Sequence, residues 1–415
     1  MTRLSLTAIF FSLLTFLVLT TPSSSHISSK KYIMYLTGQH PIIPSPPLIS
    51  HITHVALAFM PSSIFNTPNA TSWPLFTSVE ETREKFLPGT KIMVAIGGWS
   101  DTAGFAAAAR TEEGRRAWAG EVRRMVEGTG ADGVDVDWEY PGGNGEDYKT
   151  HPNHLKTWEI DAYPLLLAEL RSALGPSRLI SAAIPGLPRD MLAFTSLTIP
   201  EIEKSVDFFN VMTYDMMNRR DNITKHHAGI ELSRQAVDTY LTRGMSREKV
   251  NLGFAFYVKW FKTAPGVDCT AEPVGCATAV MENPETGADL GRAGAFSWHD
   301  DIPGEVSKSF ARAGERGVWD EVGGGYGFWD GEEEIWWSWE TEDGIVRKFG
   351  NVVREKDLGG AFAWGLGEDA EGFGHLRALN GAWEEWVKGA GGRKTEGGEE
   401  RRASKTEGVG KRDEL

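Results

Sequence analysis

The chain has 415 residues, with 57 acidic against 43 basic side chains and a net charge of −14. That balance argues against a nucleic-acid partner, which favours a basic surface, and supports solubility. With both ends set aside roughly 360 residues remain, enough for a (β/α)8 barrel of about 250 residues plus an insertion.

In chain order, the first segment reads as an address. Arg3 precedes an apolar run from Leu4 to Leu19, and the small residues Ser23, Ser24 and Ser25 follow. This predicts a secretory signal over residues 1–25. The run is short for a membrane anchor and lacks a basic stop-transfer flank, so no membrane span is expected after cleavage. Short runs at 32–36, 55–59, 91–96, 133–138, 179–183, 208–214, 251–256 and 360–364 predict eight strands. Most are apolar throughout, as strands buried on both faces of a parallel sheet are.

Helical stretches fall between them. Ser78 and Glu81 form a capping-box pattern ahead of a segment reaching Phe86. Trp118, Val122, Met125 and Val126 make an apolar stripe at helical spacing, closed by Gly128. Asp161 opens a leucine-rich helix through Leu165, Leu166, Leu170 and Leu174, ended by Gly175. Eight alternating units favour a TIM (β/α)8 barrel over an open doubly wound sheet.

Between the seventh and eighth strands lies a Gly-, Trp- and Tyr-rich stretch far longer than a barrel turn needs. It contains Gly323-Gly-Gly-Tyr-Gly-Phe-Trp329 and Trp336-Trp337-Ser-Trp339, which read as short strands and turns. Cys269 and Cys276 lie close enough to close a small loop as a disulfide, or stand as two free thiols. Neither has the company of a metal site, and no metal or cofactor is expected. Asn69-Ala-Thr71 and Asn222-Ile-Thr224 are glycosylation acceptors by pattern. Residues 388–415 are almost free of apolar side chains and predict a disordered tail ending in Arg412-Asp-Glu-Leu415. That ending is a close variant of the retrieval signals read by an endoplasmic-reticulum receptor. With the signal segment it predicts residence in the reticulum lumen, with secretion as the alternative.

The chemistry is concentrated in Asp132-Gly-Val-Asp-Val-Asp-Trp-Glu139. Asp135, Asp137 and Glu139 recur at period two, so in a strand they share one face while Val134, Val136 and Trp138 share the other. Three neighbouring carboxylates repel one another and resist desolvation. No folding requirement calls for such a row. It suits a site where one carboxyl must stay protonated near neutral pH to act as an acid. Tyr140-Pro141 ends the strand and places Glu139 at its carboxyl-end mouth.

This segment resembles the signature of the family 18 glycoside hydrolases, the chitinases and their relatives. Lys91-Ile-Met-Val-Ala-Ile-Gly-Gly-Trp99 is similar to the family's third-strand motif. Met212-Thr-Tyr-Asp215 and Gly359-Gly-Ala-Phe-Ala-Trp364 are similar to its sixth and eighth strands. The resemblance runs from about Tyr32 to Trp386, so a catalytic unit is expected over residues 26–387. It implies a TIM barrel with a small α+β insertion domain at about 258–335, forming one wall of a substrate groove. Some of the 15 tryptophans then belong to the core of that small domain, and others to a surface on which sugar rings stack.

The resemblance also implies roles. Glu139 is the general acid and then the base that activates water. The nucleophile is the substrate's own acetamido oxygen, an exception to the two-carboxylate scheme of most glycosidases, through an oxazolinium intermediate with retained configuration. Asp137 orients the acetamide, and Asp135 shares a proton with it as a coupled pair. Tyr214 donates a hydrogen bond to the acetamido oxygen, Asp215 contacts the sugar, and Trp364 is the floor beneath it. Met212, Tyr35, Phe59 and Trp99 are expected to line the site, while Asp132 is structural. The chain departs from the family pattern at Ala95, where a serine is usual. That removes one hydrogen bond to Asp135, about 1 kcal/mol net, and predicts a shifted pH optimum with activity kept. The implied activity is a chitinase acting on β-1,4-linked N-acetylglucosamine polymers or oligomers, the chain working as a monomer. Alternatives are an endo-β-N-acetylglucosaminidase acting on N-glycans and a non-catalytic chitin-binding lectin; Glu139 argues against the lectin.

Overall fold

The structure, a computed structural model, describes residues 30–403. The expected signal segment and the terminal Arg412–Leu415 lie outside the described residues. Seven strands come first: β1 Lys31–Thr37, β2 His54–Met60, β3 Lys91–Gly97, β4 Gly133–Asp137, β5 Leu179–Pro185, β6 Phe208–Met212 and β7 Val250–Ala255. Five more follow, β8 Tyr257–Lys262, β9 Ala293–Ser297, β10 Val318–Asp320, β11 Gly325–Asp330 and β12 Ile335–Trp339, and then β13 Gly360–Trp364. Strands β1–β7 and β13 close a wholly parallel barrel in the order β1-β13-β7-β6-β5-β4-β3-β2. In that ring β4 and β13 face each other across the axis.

Alternation along the strands sorts the side chains into two layers. Val134, Val136 and Trp138 join the large core between barrel and helices, and Trp138 stacks on Phe105. The interior layer is built from Ile33, Tyr35, Ala56, Ala58, Met93, Ala95 and other buried residues, among which Phe208 and Phe362 are large. Alanines at so many inward positions leave the interior open toward the mouth.

Most helix signals hold, with two shifts. The Ser78–Glu81 capping box forms as read. The stripe helix runs Glu112–Thr129 and ends at Gly130, not Gly128, because Gly130 takes the left-handed conformation (φ 73°) that terminates a helix. The leucine helix begins at Trp158, putting Asp161 inside its first turn, and ends at Gly175.

The segment between β7 and β13 forms the sheet β10-β11-β12-β8-β9, antiparallel at every pairing. It extends to Trp339, past the expected edge at residue 335. Trp336–Trp339, read as short strand but outside the expected insertion, belongs to β12, with Trp337 in register with Trp260 of β8. The following helix starts only at Glu342, where Thr341 caps it. Trp260, Trp337 and Trp339 pack with Phe296 and Phe310 as this sheet's own core. Cys269 and Cys276 are disulfide-bonded in the loop between β8 and β9. The last helix spans Gly374–Ala403, so residues 388–403, expected to lack structure, are helical. Its anchor is the buried row Leu376, Leu379, Trp383 and Trp386, and Lys388 continues it with an ion pair back to Glu384.

Candidate active site

A cavity of about 520 Å³ opens at the carboxyl ends of the barrel strands, where barrel enzymes place their chemistry. Tyr35, Phe59, Trp99, Asp137, Glu139, Met212, Tyr214, Asp215 and Trp364 all line it. Of the expected site residues only Asp135 lies outside the lining, fully buried one pleat below. Asp132 sits at the opposite end of β4, holding Arg83 and the Ile92 amide as a structural residue should.

The floor is a closed hydrogen-bond network. Asp135 accepts from the Tyr35 hydroxyl at 2.7 Å, from Ser181 at 2.5 Å and from Asn210 at 3.4 Å. Asn210 also donates to the Tyr35 hydroxyl. Tyr35 is 1% exposed, so it is a support for Asp135 more than a wall for a ligand. Burial pushes Asp135 up, with the three donors opposing. Ala95 and Ser181 flank Asp135 in register on the two neighbouring strands. The hydroxyl missing at position 95 therefore has a counterpart at Ser181.

Asp137 differs. Its Oδ1 is buried with no hydrogen-bond partner among the described residues. Burial, then the charges of Glu139 and Asp135, push its carboxyl well above the ordinary range. Glu139 lies just past the end of β4 at the cavity wall. Burial raises it to about 8, a hydrogen bond from Tyr140 opposes, and Asp215 adds to the rise. At neutral pH Glu139 therefore holds a proton and can give it away. Gly97 and Gly98 let the chain pass this close. A Cβ on Gly97 would strike the Asp137 carbonyl at 2.2 Å, and one on Gly98 would strike the Phe59 ring.

Opposite Glu139, Trp364 stacks on Phe59 with ring centroids 5.4 Å apart and planes at 19°. Tyr214 leans edge-on against Tyr257 and Phe362, in space that a side chain at Gly253 would fill. Burial and the surrounding carboxylates push the Tyr214 hydroxyl well up, so it is a permanent donor. Asp215 accepts from the Tyr257 hydroxyl at 2.7 Å and pairs with Lys259 at 2.9 Å. Burial alone would raise it, but the charge of Lys259 and the hydrogen bonds from Lys259 and Tyr257 outweigh that and hold it ionised. Trp99 is 43% exposed at the rim beside Tyr140.

Several of these partners were not picked out from sequence. Ser181 and Asn210 had a signal, since each is a lone polar residue in an apolar strand. Tyr257 and Lys259 had none, because they reach the site from β8, a strand of the second sheet.

The model for the glycosyl hydrolases family 18 matches residues 31–369. An endochitinase of Metarhizium robertsii is 27% identical over 297 residues, covering 68% of this chain. The match spans 62% of that relative's length. Among solved structures, a family 18 N-acetylglucosaminidase from Paenibacillus barengoltzii superposes with a TM-score of 0.65 at 22% identity, covering 85% of this chain and 99% of that one. A chitinase from Rhizomucor miehei gives 0.66 at 18% identity, covering 85% and 100%. These two share the fold. With a family match across most of its length, the chain belongs to the glycosyl hydrolases family 18.

Proposed function

We propose that the chain is a chitinase, cutting β-1,4-linked N-acetylglucosamine chains with retention of configuration. The observation that carries this is the pairing of a protonated Glu139 with a buried, unpartnered Asp137 oxygen, facing Tyr214 and Trp364 across one cavity. A sugar resting on the Trp364 indole has its leaving oxygen toward Glu139, which protonates it. The acetamido oxygen of the same sugar attacks its anomeric carbon as the glycosidic bond breaks. Asp137 accepts the acetamide N–H and balances the positive charge developing on that nitrogen, and Tyr214 donates to the attacking oxygen. Glu139, now ionised, takes a proton from water as the water opens the oxazolinium ring. Asp135 and its donors fix Asp137 from below and take up charge with it as a coupled pair. The Cys269–Cys276 bond fits an oxidising lumen.

The test is incubation of residues 26–415 with chitohexaose and, separately, a high-mannose glycoprotein, with products read by mass spectrometry beside Glu139→Gln. Short oligomers that vanish in the variant support the proposal. Released glycans with intact chitohexaose would move the activity to N-glycans, and binding without cleavage would leave a lectin.

A further inference from the structure

The cavity continues beyond Trp364 into a corner built by three separate elements. Glu368 lies in the turn directly after β13, His40 in the loop after β1, and Asp300 in the turn after β9. All three line the cavity. His40 Nε2 bonds Asp300 at 2.7 Å. The Glu368 side chain is 8% exposed, yet no described residue donates a hydrogen bond to its carboxylate. The closest cationic atom is His40 Nδ1 at 4.0 Å, itself buried without a hydrogen-bond partner.

A carboxylate this desolvated normally has donors or a cation. Burial and Asp300 push Glu368 up to about 7, with His40 opposing between them in effect. The cavity's other cations are committed elsewhere. Lys259 holds Asp215, Arg219 faces Glu282, and Arg220 bonds the carbonyls of Asn144 and Gly145. Wherever Glu368 is ionised, it and Asp300 outnumber even a charged His40 and leave the corner negative.

We infer that this corner is a subsite for a glucosamine residue, its free 2-ammonium group bound by Glu368 and Asp300, so that partly deacetylated chains are preferred. The inference rests on the glycan reading of the cavity. With the reacting sugar over Trp364 and its leaving group beside Glu139, the non-reducing part of the chain runs into this corner. An ammonium brings three donors and cancels charge. An acetamide brings one donor, and its carbonyl oxygen would face two carboxylates.

The experiment digests partly deacetylated chitosan of random sequence, alongside chitohexaose, with wild type, Glu368→Gln and Asp300→Asn. Products are sequenced from the reducing end by mass spectrometry. The expected result is glucosamine enriched about tenfold at one position on the non-reducing side of the cleaved sugar, the size of one charge-assisted contact. That enrichment falls toward the polymer's composition in Glu368→Gln and drops partly in Asp300→Asn, whose half-exposed side chain keeps the test independent of folding at Glu368. Chitohexaose cut normally with no such enrichment, or enrichment unchanged in both variants, overturns the inference alone. Chitohexaose left uncut overturns the hydrolase reading and the inference with it.

Discussion

Glu139→Gln should stabilise the fold, and do so increasingly as pH rises. The Glu139 carboxyl goes from an ordinary 4.5 to about 8 on folding. Below 4.5 both folded and unfolded chains hold the proton, and the group has no effect on stability. Between 4.5 and 8 the unfolded chain releases it while the folded chain keeps it, so wild type loses stability through that window. Over the whole rise the loss is about 5 kcal/mol, and by pH 7 about 3 kcal/mol. Glutamine carries no such proton and is spared this loss. Its changed hydrogen bond with Tyr140 adds only a constant offset. Urea unfolding of both proteins at pH 4, 7 and 9 gives the difference in stability at each. A difference that widens by several kcal/mol from pH 4 to 9 is expected. One that stays flat would show that Glu139 is not held protonated by its surroundings, and the assignment of the acid would fall.

Ala95→Ser places a hydroxyl beside Asp135 in register with it. One added bond of about 1 kcal/mol favours the charged carboxylate and should move the lower limb of the pH–kcat/KM profile down by just under one unit, leaving the upper limb, set by Glu139, in place. Lys348→Met removes the ammonium paired with buried Glu340, which also accepts the Ala255 amide. The cost should be about 3–5 kcal/mol in thermal or urea unfolding. Lys348 also donates to the Thr213 carbonyl at 2.9 Å, so kcat should fall as Tyr214 loses its backing. Replacing Cys269 and Cys276 by serine opens a loop whose ends are 7 residues apart, and chain entropy predicts a loss of about 2.5 kcal/mol in melting experiments.

The strands and the carboxylate row were legible because both depend on short periods. β4 needed only alternation to separate Asp135 and Asp137 from Val134 and Val136, and the structure separates them that way. Helix ends were legible to within two or three residues; Gly128 and Gly130 look alike in sequence and differ only in which one takes a positive φ. What escaped was whatever depends on contacts between distant segments. His40 meets Asp300 across 260 positions, and Lys259 meets Asp215 only because β8, directly after β7, leaves the barrel for the second sheet. The Trp336–Trp339 run reads as strand and forms one beside its neighbour β11; what escaped was that it belongs to the insertion sheet, because its other partner, β8, lies far upstream.

The same separation explains how the barrel tolerates its site. Asp135 is fully buried but has donors from Tyr35, Ser181 and Asn210, each rooted in a different strand. That network holds its position without help from Asp137. Asp137 is thus free to keep one oxygen without a hydrogen-bond partner among the described residues. A buried acceptor left in that state costs about 1–3 kcal/mol, and Glu139 adds a further cost at neutral pH. Both penalties fall at the ends of strands whose outer faces are packed into a continuous core of aliphatic and aromatic side chains. Pairing that Asp137 oxygen with a protein donor would stabilise the fold and, under the proposed mechanism, take the place of the substrate's acetamide N–H.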